Sequence, residues 1–134
     1  MVPRAQGALL YIMSTSELGR LAENLAEEFL KKRGFSILDR NFRKPWGEID
    51  IVAKDKDVIA FIEVKANRED LPGFEPELRA GNTKLHKVVR TAKTYLSSKH
   101  IGLETEWRVD VITVVFNKTR RTAKIKHFPN VEVA

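Results

Sequence analysis

The stretch Gly47-Glu48-Ile49-Asp50-Ile51-Val52-Ala53-Lys54-Asp55-Lys56-Asp57-Val58-Ile59-Ala60-Phe61-Ile62-Glu63-Val64-Lys65 decides how this chain is read. Two runs rich in Ile, Val and Phe flank the polar Asp55-Lys56-Asp57, the pattern of two strands joined by a tight turn. Each run nevertheless carries a carboxylate in its middle, Asp50 in the first and Glu63 in the second. Apolar strands of this kind are normally buried, and an uncompensated charge there costs on the order of several kcal/mol. Either the charges are neutralised by partners or they are kept for chemistry.

Directly opposed residues of an antiparallel hairpin share a face and a constant sum of residue numbers. An even-length turn near residues 55–58 sets that sum at 113, so Asp50 faces Glu63 and Glu48 faces Lys65. Opposed Cβ atoms lie about 5 Å apart, close enough for two carboxylates to share one hard cation. An odd-length turn puts Asp50 and Glu63 on opposite faces. In the plain structural alternative Glu48 pairs with Lys65, Asp50 caps a turn and Glu63 emerges at a sheet edge. Two carboxylates held together repel, and one stays protonated unless a divalent metal resolves the conflict. Such a metal can polarise a phosphodiester oxygen and lower the pKa of a bound water. Lys65, two residues beyond Glu63 and on the same strand face, can orient that water or stabilise transition-state charge.

Upstream, Ser14-Thr15-Ser16-Glu17 has the hydroxyl and acid spacing of a capping box. A helix is predicted from there to about Arg33, with Leu18, Leu21, Ala22, Leu25, Ala26, Phe29 and Leu30 as its apolar stripe and Gly34 as its stop. Glu23 lies at the edge of that stripe and reads, on periodicity alone, as a solvated acid. Phe35–Asn41 alternates as a half-exposed strand, and Phe42–Gly47 reads as a loop punctuated by Pro45 and Gly47.

Glu48–Lys54 and Val58–Lys65 are the hairpin strands, and residues 66–81, with Pro72, Gly73, Pro76 and Gly81, read as a long mobile loop. A second helix is predicted from Asn82 to about Lys99. Leu85, Val88, Val89, Ala92 and Leu96 form its apolar face, and Lys84, Lys87, Arg90 and Lys93 its basic one. Strands at Trp107–Phe116 and Thr122–Phe128 follow, joined by a turn over residues 117–121. The order α-β-β-β-α-β-β argues for an α/β fold, a mixed β-sheet flanked by helices.

At 134 residues, 43% hydrophobic and 31% charged, the chain suits one domain with a real core. The domain is placed at residues 14–134, with residues 1–13 as a poorly ordered N-terminal extension and Met13 as an alternative start. Gly7–Met13 is apolar but far short of the ~20 residues that span a bilayer, so no membrane association is expected. There is no cysteine, which excludes disulfides and thiolate metal sites and fits a reducing compartment, the cytoplasm. His86, His100 and His127 lack ligand-like spacing, so a metal here is held by oxygen, favouring Mg2+ or Mn2+. The net charge of +6 points to a polyanionic partner.

Several segments carry a family resemblance. Gly19-Arg20-Leu21-Ala22-Glu23, Asn41-Phe42-Arg43, Gly47-Glu48-Ile49-Asp50-Ile51, Phe61-Ile62-Glu63-Val64-Lys65 and Arg108-Val109-Asp110-Val111 resemble the YraN-like family of bacterial proteins over about residues 16–128. That family looks like a branch of the restriction-endonuclease-like superfamily, near the archaeal Holliday-junction resolvases. The resemblance implies a restriction-endonuclease-like core, with Asp50, Glu63 and Glu23 as metal ligands, Lys65 as the catalytic lysine and Glu48 as an accessory. It departs from the family at Asn67, where a basic residue is usual, and across residues 69–81.

Arg43, Lys44 and Trp46, together with Lys84, Lys87 and Arg90, are the expected nucleic-acid contacts, cations holding the backbone and the indole stacking on a base. Against that, Trp46 also reads as a packing residue and the basic helix face as a solvated one. Arg108 and Asp110 share a strand face and read as an ordinary ion pair. Lys118, Arg120, Arg121, Lys124 and Lys126 form a solvated hairpin charge run. Taken together, the sequence predicts a metal-dependent endonuclease acting on DNA, branched or damaged, with a homodimer expected by analogy with the resolvases. The competing reading is a non-catalytic nucleic-acid-binding or interaction protein that keeps the nuclease fold.

Overall fold

Helix α1 spans Thr15–Lys32 and opens on the capping box read from the sequence. Ser14 Oγ accepts from the Glu17 N–H at 3.2 Å, and Glu17 Oε1 accepts from the Ser14 N–H at 3.2 Å. At its far end the Gly34 N–H bonds to Lys31 O and the Phe35 N–H to Leu30 O, with Gly34 at φ +91°. This is a Schellman closure, which uses the left-handed conformation that glycine adopts without a Cβ penalty. The computed structural model describes residues 14–68, 82–117 and 121–132. The sequence readings for residues 1–13 and 69–81, and for Lys118 and Arg120, lie outside the described residues, as does the side chain of Lys84.

Five strands follow in the order β1 Ser36–Lys44, β2 Gly47–Asp55, β3 Val58–Arg68, β4 Trp107–Asn117 and β5 Thr122–Phe128, with α2 at Asn82–Ser98 between β3 and β4. They form one mixed sheet, β1-β2-β3-β4-β5, in which only β3 and β4 run parallel. A parallel pair needs a crossover, and α2 lies within it. The predicted α/β class and element order are therefore those of the structure.

The two helices cover opposite faces. Ala22, Ala26 and Leu30 of α1 pack on Ile51, Ala53, Ala60, Ile62, Ile112 and Val114, whereas Leu85, Val88, Ala92 and Tyr95 of α2 pack on Val52, Phe61, Val109 and Val111. Strand alternation sends one set to each side. A sheet covered on both faces explains the near-continuous apolar runs of β3 and β4.

Two boundaries differ from the sequence reading. The segment 42–47 is not a loop: β1 continues to Lys44, Lys44 pairs with Gly47, and the chain reverses over Pro45 and Trp46. Pairing with β2 supplies hydrogen-bond partners to residues that Pro45 and Gly47 seemed to punctuate. Likewise β3 runs on to Arg68, because β4 offers parallel partners as far as Arg68↔Phe116. Among the described residues no helix is long and apolar enough to cross a membrane.

Candidate active site

The β2–β3 turn has the even length expected. Asp55 pairs with Val58 across Lys56 and Asp57, and the register runs through Ala53↔Ala60 to Ile51↔Ile62, every pair summing to 113. It stops one pair short of Asp50 and Glu63. Asp50 therefore does not sit squarely opposite Glu63; its Oδ2 instead accepts the Val64 N–H at 2.7 Å. A side-chain oxygen closes the sheet where the backbone ladder ends.

Strand alternation breaks at the same place. Ile49 packs in the α2 layer and Ile51 in the α1 layer, although residues two apart in a regular strand share a face. Across β1, Arg40 pairs with Ile51 and Phe42 with Ile49, which brackets Asn41 opposite Asp50. Asn41 has φ +51°, a left-handed conformation in the middle of a strand that Asn tolerates better than most residues.

Asp50 is 8% exposed and Glu63 5%. Burial raises the Asp50 carboxyl most, the Val64 N–H pulls it back, and the negative charges of Glu23, Glu48 and Glu63 raise it further, to about 7 from 3.8. The four carboxylates the sequence singled out thus form one electrostatic neighbourhood, drawn from α1, β2 and β3. Among the described residues no three acidic or imidazole side chains converge into a ready-made metal cage. The donor set is oxygen alone, and like charges around a buried acid are what a hard divalent cation offsets, so the residues fit Mg2+ or Mn2+.

Glu23 is not a solvated acid. Its Oε1 accepts from Asn41 Nδ2 at 2.9 Å and from Arg40 Nη2 at 3.4 Å. Arg40 also reaches Asn24 Oδ1 and Glu27 Oε1, both at 3.2 Å. Glu48 does not pair with Lys65; it opposes Arg43 in the β1–β2 register and takes its guanidinium Nε at 2.8 Å. The pairing with β1 wins because β2 follows β1, not β3, beyond Ile51. Lys65 lies partly exposed on β3, beside Thr113 of β4.

The β1–β2 turn presses on α2. A Cβ on Gly47 would lie 2.8 Å from Thr91 Oγ1 and 3.4 Å from Lys87 O. This approach brings Trp46 under the guanidinium of Arg90, 4.4 Å from the ring centroid. Trp46, Lys87 and Arg90 are thereby gathered on one side of the molecule, with Lys87 and Arg90 exposed. Lys44, also exposed, places Nζ 5.3 Å from the Phe42 ring.

Sequence reasoning missed two arrangements. Arg40 and Asn41 looked like ordinary residues of a half-exposed strand, and only Asn41's tolerance of positive φ was a usable signal. The Arg108–Asp110 ion pair was legible, at 3.0 Å, but fully buried Asp110 also takes His127 Nε2 and the Asn130 N–H, each at 2.8 Å.

The sequence profile of the Uncharacterised protein family UPF0102 matches residues 22–114. A UPF0102 protein of Clostridium acetobutylicum is 43% identical over 112 residues, 84% of this chain and 90% of that protein. One of Syntrophotalea carbinolica is 38% identical over 112 residues, 84% of this chain and 88% of its own. Another, of Desulfosudis oleivorans, is 50% identical over 80 residues, 60% and 64% of the two chains.

Proposed function

The chain belongs to the Uncharacterised protein family UPF0102, and from the surroundings of Asp50 we propose that it is a metal-dependent endonuclease hydrolysing DNA phosphodiesters, at branched or damaged sites. The observation that carries this reading is Asp50: a buried acid bonded to the Val64 N–H where β2 and β3 part, with Glu63 buried on the adjoining strand. One of its oxygens serves the sheet by accepting the Val64 N–H, but burial and the neighbouring acids make its charge costly.

Asp50 and Glu63 would hold the cation, Mg2+ or Mn2+, with Glu23 at its margin; when bound, the ion supplies Lewis-acid polarisation of a phosphodiester oxygen. Lys65 carries an ammonium on the strand of Glu63, two residues on, and sets positive charge against the oxygens of the scissile phosphate. Lys44, Lys87 and Arg90 hold the nucleic-acid backbone beside Trp46. The charge of the chain, +6, favours this encounter at low salt.

A second reading is a nucleic-acid-binding protein without turnover. What favours it is that no three metal-binding side chains converge among the described residues, and that Glu23 already has partners in Arg40 and Asn41. Purified protein incubated with labelled linear, single-stranded and four-way-junction DNA and magnesium or manganese separates the two. Cleavage by the wild type, lost in Asp50→Ala and Lys65→Ala, supports the nuclease. Intact DNA in all samples with equal binding supports the second reading.

A further inference from the structure

We propose that Arg40 and Asn41 are positioning residues, a clamp on β1 that holds the carboxylate of Glu23 toward Asp50. The inference rests on reading Asp50 and Glu63 as a cation site. Glu23 follows buried Ala22 on α1, and the helix alone fixes neither its rotamer nor its direction. Left to itself such a side chain gains entropy by extending into water, and repulsion from Asp50 pushes it the same way.

Two donors oppose both tendencies. Asn41 Nδ2 and Arg40 Nη2 converge on the same oxygen, Oε1, at 2.9 and 3.4 Å. Arg40 is itself anchored, since its guanidinium also meets Asn24, the residue after Glu23 on α1, and Glu27, one turn further along. The three ion-paired side chains are only 27% (Arg40), 19% (Glu23) and 23% (Glu27) exposed, so the contacts are more than a solvated surface pair. Asn41 has the further advantage of place: it lies opposite Asp50 in the β1–β2 register, at φ +51°. One residue thus links the first-helix acid to the strand position of the second.

A bond that only glued α1 to β1 would change stability and nothing else. A positioning bond also changes how well the acids take up a cation, and supporting partners of metal ligands typically matter by about 10–100-fold in affinity. The experiment is Mn2+ titration by calorimetry on wild type, Glu23→Gln, Asn41→Gly, Asn41→Asp and Arg40→Gln, with thermal unfolding recorded for each. Gly keeps the left-handed backbone while losing the donor, whereas Asp keeps the side-chain shape but adds a carboxylate beside Glu23, so the loss of the donor is read from Gly. The expected result is a loss of Mn2+ affinity of about 10-fold or more in folded Asn41→Gly and Arg40→Gln. No further loss is expected when Glu23→Gln is added to either.

Wild-type affinity in both folded clamp variants overturns the proposal while leaving the cation site standing, as do losses that add fully to that of Glu23→Gln. Absence of Mn2+ binding to the wild type removes the cation site itself, and the clamp's role with it.

Discussion

Ile49 and Ile51 stand two positions apart on β2, yet Ile49 packs beneath α2 and Ile51 beneath α1. The residue between them occupies the seam of the two layers. Asp50 is thereby dry enough for its charge to be costly and close enough to β3 for its carboxylate to take the Val64 N–H at 2.7 Å. The break in alternation and the unusual acid are one feature.

The first prediction concerns pH. Burial, with the charges of Glu23, Glu48 and Glu63, pushes the folded Asp50 carboxyl up to about 7 from its ordinary 3.8, so the folded state binds this proton more tightly than the unfolded chain. Its contribution to stability is fully present below about pH 4 and is lost as pH rises through 7. The cost above that pH is at most on the order of 4 kcal/mol. In chelator, Asp50→Asn should therefore be more stable than wild type at pH 8 and nearly equal to it at pH 4. Urea denaturation at the two pH values measures the difference; a less stable variant at pH 8 contradicts the argument.

The same carboxyl predicts proton release. At pH 6 a cation taken up by Asp50 must displace its proton, whereas at pH 8 little remains to displace. Manganese titrations in buffers of different ionisation enthalpy should give buffer-dependent heats at pH 6 that converge at pH 8. Identical heats in all buffers at pH 6 would mean that Asp50 takes no part.

A third prediction tests the contact between the β1–β2 turn and α2. Thr91 is fully buried and its hydroxyl donates to Lys87 O at 2.7 Å, so it has little freedom to retreat from a new Cβ at position 47. Gly47→Ala should cost about 1–3 kcal/mol. In a Thr91→Ala background the cost should shrink, and denaturant unfolding of the four proteins in that cycle reads the coupling. Strict additivity would show that the close approach is not what makes glycine necessary.

Sequence carried the architecture further than the site. The capping box at Ser14 and Glu17, the Gly34 stop and the even turn after Asp55 are local chemistry, and each appears in the structure at the expected residues. The reversal at Pro45 and Trp46 was hidden because neither residue is a usual hairpin pair and the decisive partner, α2, lies some forty residues on. Asp50 and Glu63 were legible as misplaced charges. Where the β2–β3 ladder ends was not, since β2 beyond Ile51 follows β1, past the left-handed Asn41, and local sequence does not show that choice of partner.

A fourth prediction concerns Asp110. Burial alone would raise its carboxyl, but His127, Arg108 and the Asn130 N–H together hold it below the usual value. Its stabilisation is then present above the ordinary carboxylate range and lost as pH falls through the lowered folded value. Asp110→Ala leaves the Arg108 guanidinium and the Asn130 N–H without this acceptor, at an expected cost of about 3–5 kcal/mol. Hydrogen exchange should speed up at Asn130, and at Val131, whose N–H bonds Val109 O at 2.8 Å. Unchanged protection there would separate the network from the anchoring of this segment.

Every strand pairs with its neighbour in chain order, and β1, β2 and β3 are joined by two-residue reversals. Closing such short loops costs little entropy, whereas the parallel pairing of β3 with β4 must wait for the whole α2 crossover. Glu23, Arg40, Asn41, Asp50, Glu63 and Lys65 all precede that crossover. On a ribosome, the stretch bearing the acids and the side chains that hold Glu23 emerges as one continuous piece before α2 has been made, so vectorial synthesis presents the carboxylates of α1, β2 and β3 ahead of Lys87 and Arg90.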